Sequence, residues 1–70
     1  MSNTELVTTF LRKNKRKFYC DDCLSTLTKV KPRNQVNQIT KPLGEAADFE
    51  RRDEVCINCE CQKRCTAFVG

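Results

Sequence analysis

The stretch that decides the fold is Cys20-Asp21-Asp22-Cys23, together with its counterpart Cys56-Ile57-Asn58-Cys59 further along the chain. The two C-x-x-C pairs are separated by 32 residues. Two such pairs supply four thiolates to one tetrahedral ion, and zinc is the metal that most often uses this ligand set. The sequence therefore predicts a structural Zn²⁺ ion bound by Cys20, Cys23, Cys56 and Cys59.

The length of the chain supports the need for such a staple. Its 70 residues, expected to form a single domain over residues 1–70, include only four Phe, one Tyr and no Trp. A chain of this size buries little apolar surface, so a metal, disulfides or an oligomeric contact is usually required for stable folding. Bound zinc contributes roughly 10 kcal/mol or more to the folding free energy of finger peptides. A contribution of that size is enough to make the folded state of a small domain stable.

Disulfides are the main alternative use of the six cysteines, and iron–sulfur or redox chemistry is a further one. A secreted protein would carry a signal peptide with a continuous apolar run, whereas the segment from Ser2 to Glu5 is polar. No segment approaches the roughly 18 apolar residues of a membrane span. We therefore favour a metal thiolate site in a cytoplasmic protein that does not enter a membrane.

Cys61 and Cys65 leave the ligand set partly open. Either thiol could replace a ligand of the second pair, or six thiolates could bind two zinc ions. A disulfide or redox pair between them is disfavoured in a reducing cell. The default prediction is that both are spare thiols, with Cys65 a small buried residue on the last strand.

The apolar spacing predicts two helices before residue 32. A capping box from Ser2 to Glu5 opens the first helix, which is expected over 3–13. The second helix is expected to begin at Asp21 or Asp22 and to stop by Lys31, because the residue before a proline avoids helical backbone.

A third helix is expected over about 32–41. Pro32 suits its first position, and Pro42 with Gly44 is expected to end it. Its predicted apolar face consists of Val36, Ile39 and Leu43.

The rest of the chain indicates a β-hairpin over 49–69, with the second cysteine pair in or near its tip. Phe18 and Tyr19, directly before the first cysteine pair, are expected to pack over the metal site. The predicted fold is thus α+β, with three helices followed by a hairpin.

The net charge of +4 is unevenly distributed. Residues 12–33 carry eight Lys and Arg against two Asp, whereas residues 45–60 carry six acidic side chains against two Arg. A basic surface on one half of a small domain indicates a polyanionic partner, although solvated surface charge is the simpler interpretation.

The third helix is the predicted point of contact with that partner. Its exposed face is rich in amides and cations, and Asn and Gln pair bidentately with adenine as Arg does with guanine. Basic residues on the flanks would neutralise phosphates. The candidate DNA-binding residues are Arg33, Asn34, Gln35, Asn37, Gln38 and Lys41 on the helix, and Lys15, Arg16 and Lys17 before the first cysteine pair.

Two helices joined by a short turn, with the second opening at Pro32, have the outline of a helix-turn-helix. With the Tyr19-Cys20-x-x-Cys23 and Cys56-x-x-Cys59 pairs, residues 3–69 resemble compact bacterial and archaeal winged helix-turn-helix proteins that carry a four-cysteine zinc knuckle. The resemblance implies that zinc joins the start of the second helix to the wing and that the third helix enters the DNA groove.

The predicted wing departs from that pattern because it is acidic. Any contact it made with phosphates would fall to the four basic residues of the hairpin, which are Arg51, Arg52, Lys63 and Arg64.

Catalysis is not expected. The chain has no histidine, and sites formed by four thiolates are usually closed and structural. The predicted function is DNA binding, by a small transcriptional regulator or accessory factor, with RNA as an alternative nucleic acid. The rival prediction is a zinc-ribbon-like protein-interaction module, and a protein partner or a homodimer is compatible with either function.

Overall fold

Three helices and one antiparallel sheet make up the computed structural model, which describes residues 2–70. The elements follow in the order α1 (Asn3–Lys13), β1 (Tyr19–Cys20), α2 (Asp21–Thr28), α3 (Arg33–Leu43), β2 (Phe49–Val55) and β3 (Gln62–Phe68). The predicted α+β class is confirmed. The strand order is β1-β3-β2, so β3 is central and β2 is an edge strand.

The first helix begins and ends as predicted. Ser2 is its N-cap, and the Ser2 hydroxyl accepts the Glu5 amide N–H at 3.1 Å. The Glu5 carboxylate bonds to the same hydroxyl at 3.3 Å, whereas in a full capping box it would accept the backbone N–H of Ser2. The helix buries Val7 and Leu11.

The turn between α2 and α3 follows a helix that begins at Asp21 and stops before Lys31, as predicted. The second helix stops at Thr28, because Lys29 adopts left-handed backbone with φ of 63°. The Ser25 hydroxyl then donates to the Val30 carbonyl at 2.6 Å, and this buried bond fixes the turn against the end of α2. Val30 is fully buried, so the turn contributes to the core as well as joining the helices.

The predicted range of 32–41 for the third helix is wrong by one residue at the start and two at the end. Pro32 is its N-cap, and the helix continues to Leu43 with Pro42 inside its last turn. A proline in that position lacks one N–H, but the Gly44 amide still donates to the carbonyls of Thr40 and Lys41 at 3.3 Å. Half-buried Leu43 packs against the core, which favours the extra turn.

The hairpin formed by β2 and β3 has residues 56–61 at its tip, as predicted, and its register pairs Phe49 with Phe68 and Val55 with Gln62. The short strand β1 was not predicted. It pairs Tyr19 with Thr66 and Cys20 with Cys65, and thereby places the first cysteine pair beside the hairpin.

The buried side chains form two clusters. The larger lies between the helices and the sheet and contains Val7, Leu11, Tyr19, Leu24, Val30, Val36, Ile39 and Phe49. The smaller is covered by Phe18 and consists of Cys20, Cys23, Cys56 and Cys65. Leu27, an apolar residue of α2, is 41% exposed and lies outside both clusters.

Candidate metal centre and adjoining polar surface

Four thiols from two distant parts of the chain converge on one point. Cys20 ends β1, Cys23 lies in the first turn of α2, and Cys56 and Cys59 lie at the hairpin tip. Their Sγ atoms all lie within 4.8 Å of one another. These are the four predicted ligands, and their arrangement is able to hold a metal ion.

The spacing of the sulfur atoms fits a tetrahedral ion. With metal–sulfur bonds of about 2.3 Å, the edge of a zinc–thiolate tetrahedron is about 3.8 Å. The Sγ atoms of Cys20 and Cys59 are 3.8 Å apart. Cys20, Cys23 and Cys56 are buried and Cys59 is exposed, so the site opens to solvent on the side of Cys59 only.

Backbone amides make one of the four thiols unusually acidic. Burial raises the pKa of Cys56, but the backbone N–H groups of Cys59, Cys20 and Asn58 outweigh it and bring the pKa to about 6. One of these contacts is a bond of 3.4 Å from the Cys20 N–H to the Cys56 Sγ. Burial raises the pKa of Cys20 and of Cys23. The backbone amides thus favour the thiolate of Cys56, and a bound cation would displace protons from the buried thiols of Cys20 and Cys23.

Cys61 and Cys65 lie outside the group of four in the described part of the chain. The Cys65 thiol is buried and donates to the Glu54 carbonyl at 3.3 Å. Burial, together with the charges of Cys56 and Cys59, raises its pKa to about 11. The Cys61 side chain is exposed. Its backbone carbonyl accepts the Cys56 N–H at 2.9 Å within the hairpin tip. All six cysteines are free thiols, so the structure contains none of the alternative disulfides.

The two aromatic residues before Cys20 point to different places. Phe18 covers the cysteine cluster, as predicted, and the Arg52 guanidinium lies 4.6 Å from the centre of its ring. Tyr19 was expected beside it but packs in the main core, edge-on to Phe10 at 5.0 Å. Consecutive residues of a strand face opposite sides of the sheet, which separates the two rings.

A buried ion pair next to the metal centre was not found by sequence reasoning. Asp21 is 4% exposed, and the Arg51 Nη1 atom lies 3.3 Å from its Oδ1 atom. The Thr40 hydroxyl donates to the same Asp21 oxygen at 2.9 Å, and Nη1 also donates to the hydroxyls of Thr40 and Thr66 at 3.0 Å. The network joins α2, α3 and the sheet. The only indication of this ion pair in the sequence was Arg51, an arginine on the side of a predicted strand that was expected to face the core.

This network removes Arg51 from the predicted wing contacts, because its side chain is only 10% exposed. The other three basic residues of the hairpin are exposed but paired with carboxylates. Arg52 bonds to Glu50 and Glu54, Lys63 bonds to Asp22, and Arg64 bonds to Asp53.

The predicted contact face of α3 is largely exposed. Asn37 is half-buried, and its amide donates to the Asp21 carboxylate at 3.0 Å. Arg33 is exposed and bonds to Asp22. The remaining predicted residues of this helix are exposed, and they are Asn34, Gln35, Gln38 and Lys41.

A cleft of about 420 Å³ separates the first half of α3 from the hairpin. Four cations line it, from α3 and from both strands of the hairpin, and they are Arg33, Arg51, Lys63 and Arg64. Its acidic lining consists of Asp21 and Asp22. The structure therefore brings basic residues of the third helix and of the hairpin together.

The basic run before the first cysteine pair lies elsewhere. Lys15, Arg16 and Lys17 are exposed in the turn after α1, where the Arg16 N–H donates to the Phe68 carbonyl at 2.8 Å. Phe68 is four residues from Arg64 along β3, a separation of about 14 Å. The run thus lies near the Phe68 end of β3 and does not line the cleft.

Comparisons of the chain with protein-family models, with curated proteins and with solved structures found no match. Within residues 2–70, no helix has the length and apolar character needed to cross a membrane.

Proposed function

We propose that the protein is a zinc-stabilised DNA-binding domain of the winged helix-turn-helix kind. In this proposal α2 and α3 are the helix-turn-helix, α3 enters the major groove and the β2–β3 hairpin is the wing. The order of the elements supports it, since three helices precede the hairpin and a short turn joins α2 to α3. A small regulator or accessory factor acting in the cytoplasm, without catalytic activity, is the role we infer.

The observation that carries the proposal is the composition of the α3 surface. This helix contains no Asp or Glu, and apart from Pro42 in its last turn its exposed side chains are amides and cations. The eleven residues of α3 form a helix about 16 Å long. This length exceeds the width of the major groove, which is about 12 Å. A face without carboxylates approaches phosphates without repulsion, and its amides can read base edges.

Zinc is the ion we propose for the four-thiol site. The sulfur spacing fits its bond length, and four thiolates without a histidine or an open position form a closed structural site. The ion would hold the start of α2 against the hairpin tip. In that role it orients α3 relative to the hairpin and takes no part in a reaction.

The test is duplex binding by variants of α3. We expect Asn34→Ala and Gln38→Ala each to cost about 1–3 kcal/mol at a preferred site selected from a random duplex pool. Lys41→Gln should weaken binding to all sequences and should reduce the slope of log K against log salt by about one. Asn3→Ala, the same loss of an amide on α1, is the matched control and should change neither quantity.

Absence of duplex binding by the zinc-loaded protein at low salt would overturn the proposal. Binding confined to RNA would overturn the assignment to DNA. Arg33 is reserved for a separate experiment because it already bonds to Asp22.

One observation favours the second candidate, a protein-interaction module. Val55 and Ile57, beside the metal centre at the hairpin tip, are 52% and 53% exposed. Exposed apolar residues grouped in this way are typical of protein contacts. If this candidate is correct, Val55→Ser with Ile57→Ser would abolish partner binding, and duplex DNA would not bind even at low salt.

A further inference from the structure

Two cations from separate elements bind one exposed carboxylate at the mouth of the cleft. The Arg33 Nε atom, at the first residue of α3, bonds to the Asp22 Oδ1 atom. The Lys63 Nζ atom, on β3, lies 3.0 Å from the Asp22 Oδ2 atom. Asp22 thereby links the proposed recognition helix to the proposed wing, although neither element contains it.

Asp22 has a different role from its neighbour Asp21. Asp21 is buried and held by the network around Arg51, whereas the side chain of Asp22 is 48% exposed. Arg33 and Lys63 are similarly exposed, at 58% and 42%. Ion pairs that are this open to solvent are weak, so another anion can displace the carboxylate without disturbing the core.

The chemistry of the contact matches that of a backbone phosphate. Guanidinium and ammonium groups bind carboxylate and phosphate oxygens through the same charged hydrogen bonds. Asp22 also lies in the first turn of α2, where the helix dipole favours negative charge. An anion that replaces Asp22 therefore meets two cations and the positive end of a helix.

We propose that the Asp22 carboxylate occupies the position of a DNA backbone phosphate and competes with it for Arg33 and Lys63. The proposal rests on the DNA-binding function proposed above, and it adds a phosphate site and an internal competitor to it. Because contacts with phosphates dominate binding to unspecific sequences, this competition lowers affinity for DNA in general. Base contacts by α3 are then required for stable binding, which makes Asp22 a determinant of specificity.

Phosphate binding at this point would also depend on the metal. Asp22 lies between Cys20 and Cys23, both ligands of the proposed ion. The ion holds this turn against the hairpin, and so keeps Asp22 within reach of Lys63. The other charged groups lining the cleft are paired, Arg51 with Asp21 and Arg64 with Asp53.

The experiment compares Asp22→Asn with the wild-type protein, both loaded with zinc, on a labelled duplex of mixed sequence. We expect Asp22→Asn to bind about five- to tenfold more tightly at about 50 mM salt, because Arg33 and Lys63 become available to phosphate. The salt dependence should be steeper by about one, because the two cations together neutralise one further phosphate. Adding Arg33→Gln to Asp22→Asn should remove most of that gain. Zinc content and far-UV circular dichroism verify that each variant is folded.

The matched control is Glu50→Gln, which removes the same charge and one of the two carboxylate contacts of Arg52, the other being with Glu54. Glu50 and Arg52 lie on the sheet face opposite the one on which Arg51 reaches the helices. We expect this control to change affinity less than about twofold, since Arg52 stays paired with Glu54 and does not line the cleft. If Asp22→Asn and Glu50→Gln gained the same affinity for DNA, the change in net charge alone would explain the gain, and the inference would be overturned.

The remaining outcomes separate the two proposals. If the wild-type protein binds DNA and Asp22→Asn binds no more tightly, the competition is refuted and the DNA-binding function stands. If neither protein binds DNA, both proposals fail. If Asp22→Asn loses zinc, Asp22→Ser provides a second test, because serine also favours the start of a helix. A gain on an RNA hairpin alone would overturn the assignment to DNA.

Discussion

At the scale of single residues, the two aspartates inside the first cysteine pair differ most in their surroundings. Sequence reasoning assigned both Asp21 and Asp22 to the start of a helix, and both lie in the first turn of α2. Neighbouring residues of a helix point in different directions, so Asp21 faces the core and Asp22 faces solvent. Asp21 meets Arg51 there, and this buried pair is among the contacts that join the helices to the sheet.

We predict that Arg51→Met destabilises the zinc-loaded protein by about 3–5 kcal/mol, because it leaves the Asp21 carboxylate buried without its cation. The measurement is urea unfolding followed by circular dichroism. Asp21→Asn together with Arg51→Met should be more stable than Arg51→Met alone, since no buried charge is then left unpaired.

The matched control for that prediction is Arg64→Met. Arg64 bonds to Asp53 across the hairpin, and both side chains are more than half exposed. We expect a loss of about 0–1 kcal/mol, as for other exposed pairs. Equal losses for Arg51 and Arg64 would contradict the importance assigned to the buried pair.

At the scale of elements, the hairpin places the cysteines that follow residue 55 in different surroundings. Its tip presents Cys56 and Cys59 to the metal centre, and strand alternation places Cys65 on the sheet opposite Cys20. Cys65 is buried, but its thiol bonds to the Glu54 carbonyl. The hairpin thus brings Cys56 and Cys59 close enough to Cys20 and Cys23 for the four to hold one metal ion.

We predict that Cys65→Ala retains about one zinc ion per chain, whereas Cys56→Ser loses zinc, because only the latter removes a ligand of the tetrahedral set. The measurement is metal analysis of protein purified in zinc-containing buffer. Cys61→Ser is a second control and is expected to retain the ion. Loss of zinc from Cys65→Ala in a folded protein would show that the ligand set is wrong.

At the scale of the whole molecule, two small buried clusters support a chain with a radius of gyration of 10.4 Å. The larger cluster, between the helices and the sheet, is apolar, whereas the smaller cluster consists of cysteines. Thiols alone contribute little to holding two loops together, so we expect the hairpin tip and the start of α2 to depend on a shared ion. Loss of the metal should therefore disrupt the fold and the relative position of α3 and the hairpin together.

We predict that a strong chelator unfolds the protein and that zinc restores it, because the free energy of metal binding is part of the free energy of folding. Dispersion of amide signals in nuclear magnetic resonance spectra is the measurement, with Mg²⁺ as the control ion that should not restore the fold. A protein that keeps its native spectrum after complete removal of the metal would contradict this prediction.

Acid should have the same effect as the chelator. Metal binding requires thiolates, and protons compete for them as the pH falls. Below about pH 6 even Cys56, whose pKa is lowered to about 6, becomes protonated when no metal is bound. Zinc release and loss of structure should therefore occur together on the acid side of pH 6.

Much of the local structure could be predicted from the sequence because it depends on near neighbours. Apolar spacing located the three helices, and the hairpin followed from its turn and strand residues. The strand β1 could not be predicted, since two residues show no alternation and owe their conformation to pairing with β3. The last turn of α3 was missed because packing of Leu43 outweighs the tendency of Pro42 to end a helix.

The sequence by itself determined the four candidate ligands and the α+β class, because cysteine spacing and apolar periodicity are visible along the chain. Only the tertiary structure decided which charges meet. Asp21 and Arg51 are 30 residues apart, and Asp22 and Lys63 are 41 apart. No local pattern records such pairs, since each depends on a helix start and a hairpin being brought together by β1 and the four thiols. That same convergence brings basic residues of the hairpin and the start of α3 to one cleft.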